Sequence, residues 1–190
     1  APSERAPRHR HRKIHDRFVA RVAEAAEKLR LGDGRRPGTD VGPLIHEEAR
    51  DKVERYVQVG LDQGAELVTG GARPRGARTA KGWFYKPTIF ANVRAGSRLE
   101  QEEIFGPVLS VVRVGSFEEA LQVNNGVKYG LSSSLYTRDV NLAFRALEAL
   151  DNGITYINAP TIGAEAHLPV GGVKATGNGH REGGWEVFEF

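Results

Sequence analysis

Apolar side chains recur at helical spacing from Ile14 through Phe18, Val22, Ala25 and Leu29, and Gly32 follows as a stop. This spacing predicts an amphipathic helix over about residues 14–30 with that stripe facing inward. Ala49, Val53, Val57 and Leu61 form a second stripe and predict a helix over about residues 47–63, ended by Gly64. A short strand is predicted over 65–69. Another is predicted over 84–93, where Pro87 requires an edge or a bulge. The apolar run Val108-Leu109-Ser110-Val111-Val112 reads as a buried strand.

The second half alternates in the same way. Ser116-Phe117-Glu118-Glu119 is a capping box that opens a helix ending near Asn125-Gly126. A strand is predicted over 131–136, and Asp139 caps a helix whose Leu142, Ala146, Leu147 and Leu150 face inward. Asn152-Gly153 stops that helix, and Ile154-Thr155-Tyr156-Ile157 is the last clear strand. Strands alternating with amphipathic helices predict the α/β class, a largely parallel sheet flanked by helices. Ligands in such sheets gather beyond the carboxyl ends of the strands.

Two loops are rich in glycine. The one after Ile157 runs to about residue 184 and holds Gly163, Gly171, Gly172, Gly177, Gly179, Gly183 and Gly184. Loops of that length are uncommon in compact domains unless they bind something. Gly177-Asn178-Gly179 lacks a third glycine at dinucleotide-fingerprint spacing, and no strand leads into it. The other loop, residues 70–82, has the glycine content of a phosphate cradle without its spacing or following helix, so no nucleotide role is assigned to it.

Composition narrows the function classes. The chain has 190 residues and no cysteine, which excludes a disulfide framework, a thiolate metal site and a cysteine nucleophile within it. No apolar run approaches the roughly 20 residues needed to span a bilayer, and no signal peptide opens the chain, so the cytoplasm is the expected compartment. The net charge is +3, but residues 1–17 hold six basic side chains against two acidic ones, which leaves −1 for the remainder. A nucleic-acid-binding domain is therefore disfavoured and no such partner is expected. Residues 1–13 are expected to be a disordered basic tail ahead of a domain spanning 14–190.

Candidate chemistry centres on Gln101-Glu102-Glu103-Ile104-Phe105-Gly106-Pro107-Val108, which joins an acidic helical turn to the buried strand. Gly106-Pro107 disfavours a continuing helix and fixes the strand's entry. A carboxylate there can accept hydrogen bonds from sugar hydroxyls, and an aromatic ring can cover a flat heterocycle. The alternative is a capped helix end with Phe105 in the core.

These motifs resemble the NAD(P)-dependent aldehyde dehydrogenases. Thr39-Asp40-Val41-Gly42-Pro43-Leu44-Ile45 and Glu102-Glu103-Ile104-Phe105-Gly106-Pro107-Val108 are similar to two of that family's segments. So are Asn124-Asn125 with Tyr129-Gly130-Leu131, and Tyr136-Thr137-Arg138-Asp139. Gly153-Ile154 with Ile157-Asn158, and Pro169-Val170-Gly171-Gly172-Val173-Lys174 with Gly177, Gly179 and Arg181-Glu182, complete the order. The resemblance implies a partial catalytic domain of an oxidoreductase that converts a small aldehyde or semialdehyde to the carboxylate with NAD or NADP. The parent enzyme is expected to be a homo-oligomer. In the family a hemithioacetal forms on a cysteine, hydride passes to the nicotinamide and water hydrolyses the thioester. Cysteine, general base, oxyanion asparagine and dinucleotide-binding loop all lie outside the matched region, so the chain is expected to be inactive alone. The tail ahead of Ile14 is expected to be an out-of-frame or secondary-start product of a gene descended from a full-length enzyme.

Residue roles carried by the resemblance are few. Glu103 would hydrogen-bond the nicotinamide ribose, and Phe105 would pack near the nicotinamide ring. Glu182 matches a buried glutamate with a proton-relay or structural role; pairing with Arg181 or Lys174 is the alternative. Thr161, Gly163, Ala164, His167 and Val170 lie in or beside the substrate-anchor loop, whose backbone N–H groups suit the far carboxylate of a semialdehyde. Val170 stands where the family has phenylalanine, and His167 is a hydrogen-bonding loop residue rather than an acid–base group.

Overall fold

The computed structural model describes the backbone of residues 5–163, 167–177 and 180–185, and the side chains from residue 14 onward within those ranges. The chain divides into two compact units, residues 1–116 and 117–190. In the first, α1 (Arg5–Glu27) and α2 (Glu47–Asp62) precede β1 (Glu66–Thr69), β2 (Thr88–Val93), the single turn α3 (Arg98–Gln101) and β3 (Val108–Val112). The sheet order is β1-β2-β3, with β1–β2 antiparallel and β2–β3 parallel.

β2 is central, and its burial explains its composition. Thr88, Ile89, Phe90, Ala91 and Val93 are all buried. Phe90 packs with Val53 and Val57 of α2, and with Tyr85, Val93, Leu99 and Ile104, in the core cluster. Ile89 and Ala91 alternate with Phe90 and so take the other face, where α1 packs on β1 and β2. Pro87 precedes β2 rather than interrupting it, and Phe84 and Tyr85 are buried without strand pairing. The next residue, Thr88, donates its N–H to the Pro107 carbonyl at 2.8 Å, which ties the start of β2 to the loop entering β3.

The sequence pattern misplaced the inward face of α1. Among the described side chains, Val19 and Ala23 are its buried residues, whereas Ile14 and Phe18, and Leu29 just beyond the helix, are exposed. The helix also begins at Arg5, nine residues ahead of Ile14. Pro7 then lies in the first turn, where a missing N–H breaks no helical hydrogen bond. Leu61, expected in the stripe of α2, is exposed near that helix's end.

The second unit contains α4 (Phe117–Asn125), β4 (Tyr129–Gly130), β5 (Ser132–Leu135), α5 (Val140–Ala149), β6 (Ile154–Ile157) and β7 (Val173–Lys174). β5 and β6 pair in parallel with α5 as their crossover, and β4 pairs antiparallel with β7. Asp139 caps α5, its Oδ1 accepting the Asn141 N–H at 2.8 Å. Ala146 is buried, but Leu147, expected inward, is about half exposed. The α/β class stands: the parallel ladders β2–β3 and β5–β6 are joined by helical crossovers, and β1 and β4–β7 add antiparallel pairs. Among the described residues no helix is long and apolar enough to cross a membrane.

Candidate functional site

The loop from α3 to β3 separates two adjacent glutamates. Glu102 is held by the structure: Arg98 donates from Nε and Nη2 to its two carboxylate oxygens, both at 3.0 Å. The Tyr56 hydroxyl donates to Glu102 Oε2 at 2.6 Å. That bond, with partial burial, raises the Tyr56 pKa above its ordinary value. The Arg98 guanidinium also lies over the Tyr56 ring, 5.8 Å from its centroid. Glu103 is exposed; its backbone carbonyl accepts from Lys52 Nζ at 2.7 Å, and among the described residues its carboxylate has no partner.

The next residues fix a displayed ring. Ile104 is buried in the core cluster, anchoring the loop. Phe105 follows with 78% of its surface exposed and φ at +57°. A bulky side chain in the left-handed region is strained, and such strain persists where surrounding structure imposes it. Gly106 supplies part of that constraint, because a Cβ there would lie 2.2 Å from Val53 Cγ2. Phe105 is therefore not a core phenylalanine. The structure presents a free carboxylate and an exposed aromatic on either side of a buried isoleucine.

The remaining expected site residues lie in the second unit. Thr161 is exposed, and the Gly163 carbonyl accepts the Tyr156 hydroxyl at 3.0 Å. Ala164 lies outside the described residues. His167 is exposed and Val170 is half-buried. Val170 and Glu182 pair as an isolated antiparallel bridge through backbone hydrogen bonds in both directions. The Glu182 side chain is exposed, unlike the buried glutamate of the resemblance. Neither expected cationic partner takes it. Lys174 Nζ pairs with Asp151 at 3.0 Å and donates to the Asn125 and Val127 carbonyls, and Arg181 points its Nη1 to the Gly153 carbonyl at 3.5 Å.

The motif glycines of this unit have a packing role. A Cβ on Gly153 would lie 1.6 Å from the Gly171 carbonyl oxygen, and one on Gly130 would lie 2.8 Å from the Asp151 carbonyl oxygen. Asn158, at φ +55°, accepts the Thr137 N–H and donates to the Thr137 carbonyl. Asn125 likewise donates to the Ala149 carbonyl and accepts the Asp151 N–H where α5 ends. These residues hold loops to one another. The sequence reading missed Tyr56, Arg98 and Lys52, although the Arg98–Glu102 spacing of four on a helical turn was a visible pairing signal.

The aldehyde dehydrogenase family model matches residues 10–190. A betaine aldehyde dehydrogenase of Bacillus subtilis is 41% identical over 172 residues, which cover 90% of this chain and 34% of the relative. An aldehyde dehydrogenase of Mycobacterium tuberculosis, solved with NAD+, superposes with a TM-score of 0.87 at 36% identity, covering 94% of this chain and 36% of that one. A betaine aldehyde dehydrogenase of Staphylococcus aureus, also solved with NAD+, gives a TM-score of 0.89 at 36% identity, covering 93% of this chain and 35% of that one. The chain belongs to the aldehyde dehydrogenase family. It spans about a third of the length of the curated relatives it matches.

Proposed function

We propose that this chain forms the nicotinamide-facing and substrate-facing part of an NAD-dependent aldehyde dehydrogenase. The observation that carries the proposal is the strained, exposed Phe105 beside the free carboxylate of Glu103. Both fit the nicotinamide half of a dinucleotide: Glu103 accepts hydrogen bonds from ribose hydroxyls, and the Phe105 ring covers the flat heterocycle. The nicotinamide, when bound, supplies the hydride acceptor. Lys52 and Ile104 keep the loop in place, so the ring and carboxylate need little reordering on binding. Relatives solved with NAD+ support NAD; NADP is accommodated by the same two contacts. A semialdehyde substrate, cytoplasmic location and homo-oligomeric parent extend the proposal on the resemblance alone.

The test has two arms. The isolated chain, which has no cysteine, is expected to show no aldehyde oxidation; turnover that survives repurification overturns the reading. Residues 14–190 are then exchanged for the matching third of the Bacillus subtilis relative. Glu103→Gln in an active chimaera is expected to raise the KM for NAD about tenfold, as loss of a hydrogen bond to a charged group does. An active chimaera indifferent to both Glu103→Gln and Phe105→Ala removes the proposed contacts.

A second reading is a non-catalytic chain that pairs with a complementing one. Its support is the apolar face on which Ile14 and Phe18 of α1, Leu29 just beyond it and Leu109 of β3 are all at least 40% exposed.

A further inference from the structure

In the first unit, the loop of residues 30–43 and the stretch 77–84 enclose a cleft of about 760 Å3, within the range of about 300–1,000 Å3 for small-molecule sites. Its lining carries five cations, Arg30, Arg35, Arg36, Arg78 and Lys81, against the single acid Asp33. Two of the cations are engaged. Arg35 Nη2 pairs with Asp33 at 2.7 Å, and Arg30 Nε pairs with Asp40 at 3.0 Å. Among the described residues, Arg36, Arg78 and Lys81 form no ion pair, although the Arg36 charge helps lower the Asp33 pKa. From this surplus of charge we infer that the cleft binds a small oligophosphate anion, independently of the dinucleotide contacts at Glu103 and Phe105.

The walls are prepared rather than loose. Leu31 and Val41 form a bridge across the neck of the loop, and the Thr39 hydroxyl donates to the Asp33 carbonyl at 2.9 Å. The Arg30 N–H adds a 2.8 Å bond to Asp40 Oδ2. The two ion pairs thus brace the backbone, and the three remaining cations come from two loops, Arg36 from residues 30–43 and Arg78 with Lys81 from residues 77–84. Convergent like charges repel, and a multivalent anion relieves that repulsion. Guanidinium forks match phosphate oxygens in pairs, and adjacent phosphates offer the several acceptor groups that three cations can share. Buried Phe84, with Leu31 and Pro37, gives the cleft an apolar lining as well. Recognition here is by side chains drawn from two loops. That is why the glycines of residues 70–82, read alone, lack a phosphate-loop pattern.

Tripolyphosphate and ATP share this chemistry, and calorimetry of the full chain in low salt tests both. Each is expected to bind, with affinity falling about tenfold for each cation removed in Arg36→Gln, Arg78→Gln and Lys81→Gln. Arg55→Gln, on the exposed face of α2 away from the cleft, is expected to leave affinity unchanged. Equal affinity for the two probes assigns the site to the phosphate chain, and tighter ATP binding assigns it to a nucleotide; either supports the cleft. Amide resonances shifted by tripolyphosphate should fall within residues 30–43 and 77–84, which tests the site without a variant. Absence of binding, equal loss in Arg55→Gln, or shifts spread over the whole surface overturns the inference.

Discussion

In residues 1–116, Phe90 and Val53 are fully buried around a central strand covered on both faces, and loops are hung on that core. In residues 117–190, Gly130 and Ala146 are the buried residues among those described. There, glycine backbones lie against carbonyls, and Asn125, Asn158 and Lys174 stitch loops through hydrogen bonds. The first unit is stabilised by apolar area, which is non-directional and forgiving of surface change. The second depends on contacts with strict geometry, where one added atom has no room. A displayed, strained residue such as Phe105 is tolerable on the first kind of scaffold because Ile104 and Val53 hold its neighbours.

The largest expected effect tests the apolar side of that contrast. Phe90→Ala should destabilise the first unit by about 4 kcal/mol, from lost transfer energy plus the cavity left beneath α2. Hydrogen exchange should show the loss in β2 and α2 amides. Unchanged protection there would mean that the cluster does not set this unit's stability.

Gly153→Ala tests the other side. The new Cβ would sit 1.6 Å from the Gly171 carbonyl oxygen, so backbone must move rather than a side chain rotate. A loss of about 3 kcal/mol is expected, at the upper end for overpacking, and read as faster proteolysis of the second unit. A stability equal to wild type would show that the Gly153 and Gly171 backbones are not in close contact, and the contrast between the units would fall with it.

The two regions were not equally legible in the sequence. β3, α2 and the Asp139 cap follow from local pattern, since strand period, helical stripe and cap are short-range signals. The exposure of Ile14 and Phe18 was hidden, because periodicity reports an apolar face without saying whether this chain covers it. Leu147 failed in the same way. At the site, Glu103 and Phe105 were found by their motif, yet their separation from Glu102 needed Tyr56, which lies 46 residues away in sequence. Gly153, Gly171 and Gly130 could be quoted as motif residues, but their reason is a close approach between distant segments that no local pattern encodes.

The smallest expected effect is electrostatic and belongs to the loops of the first unit rather than to its core. Asp33 is lowered to a pKa of about 2, chiefly by the hydrogen bond from the Arg35 side chain and then by the Arg35 backbone N–H. Its ordinary value is about 3.9. A depressed carboxylate pKa means that the unfolded chain binds the proton more readily, so the contribution is fully present above about pH 4 and is lost as pH falls toward about 2. Because the group is exposed, solvent screening keeps the effect on global stability slight. The change should be confined to residues 33–39, leaving the Phe90 cluster intact. Carboxyl carbon shifts should place the Asp33 midpoint near pH 2, and Arg35→Gln should move it up toward about 4. A midpoint near 4 in the unaltered chain would remove the Asp33–Arg35 pair as a brace, and the cleft would then hold four cations outside an ion pair instead of three.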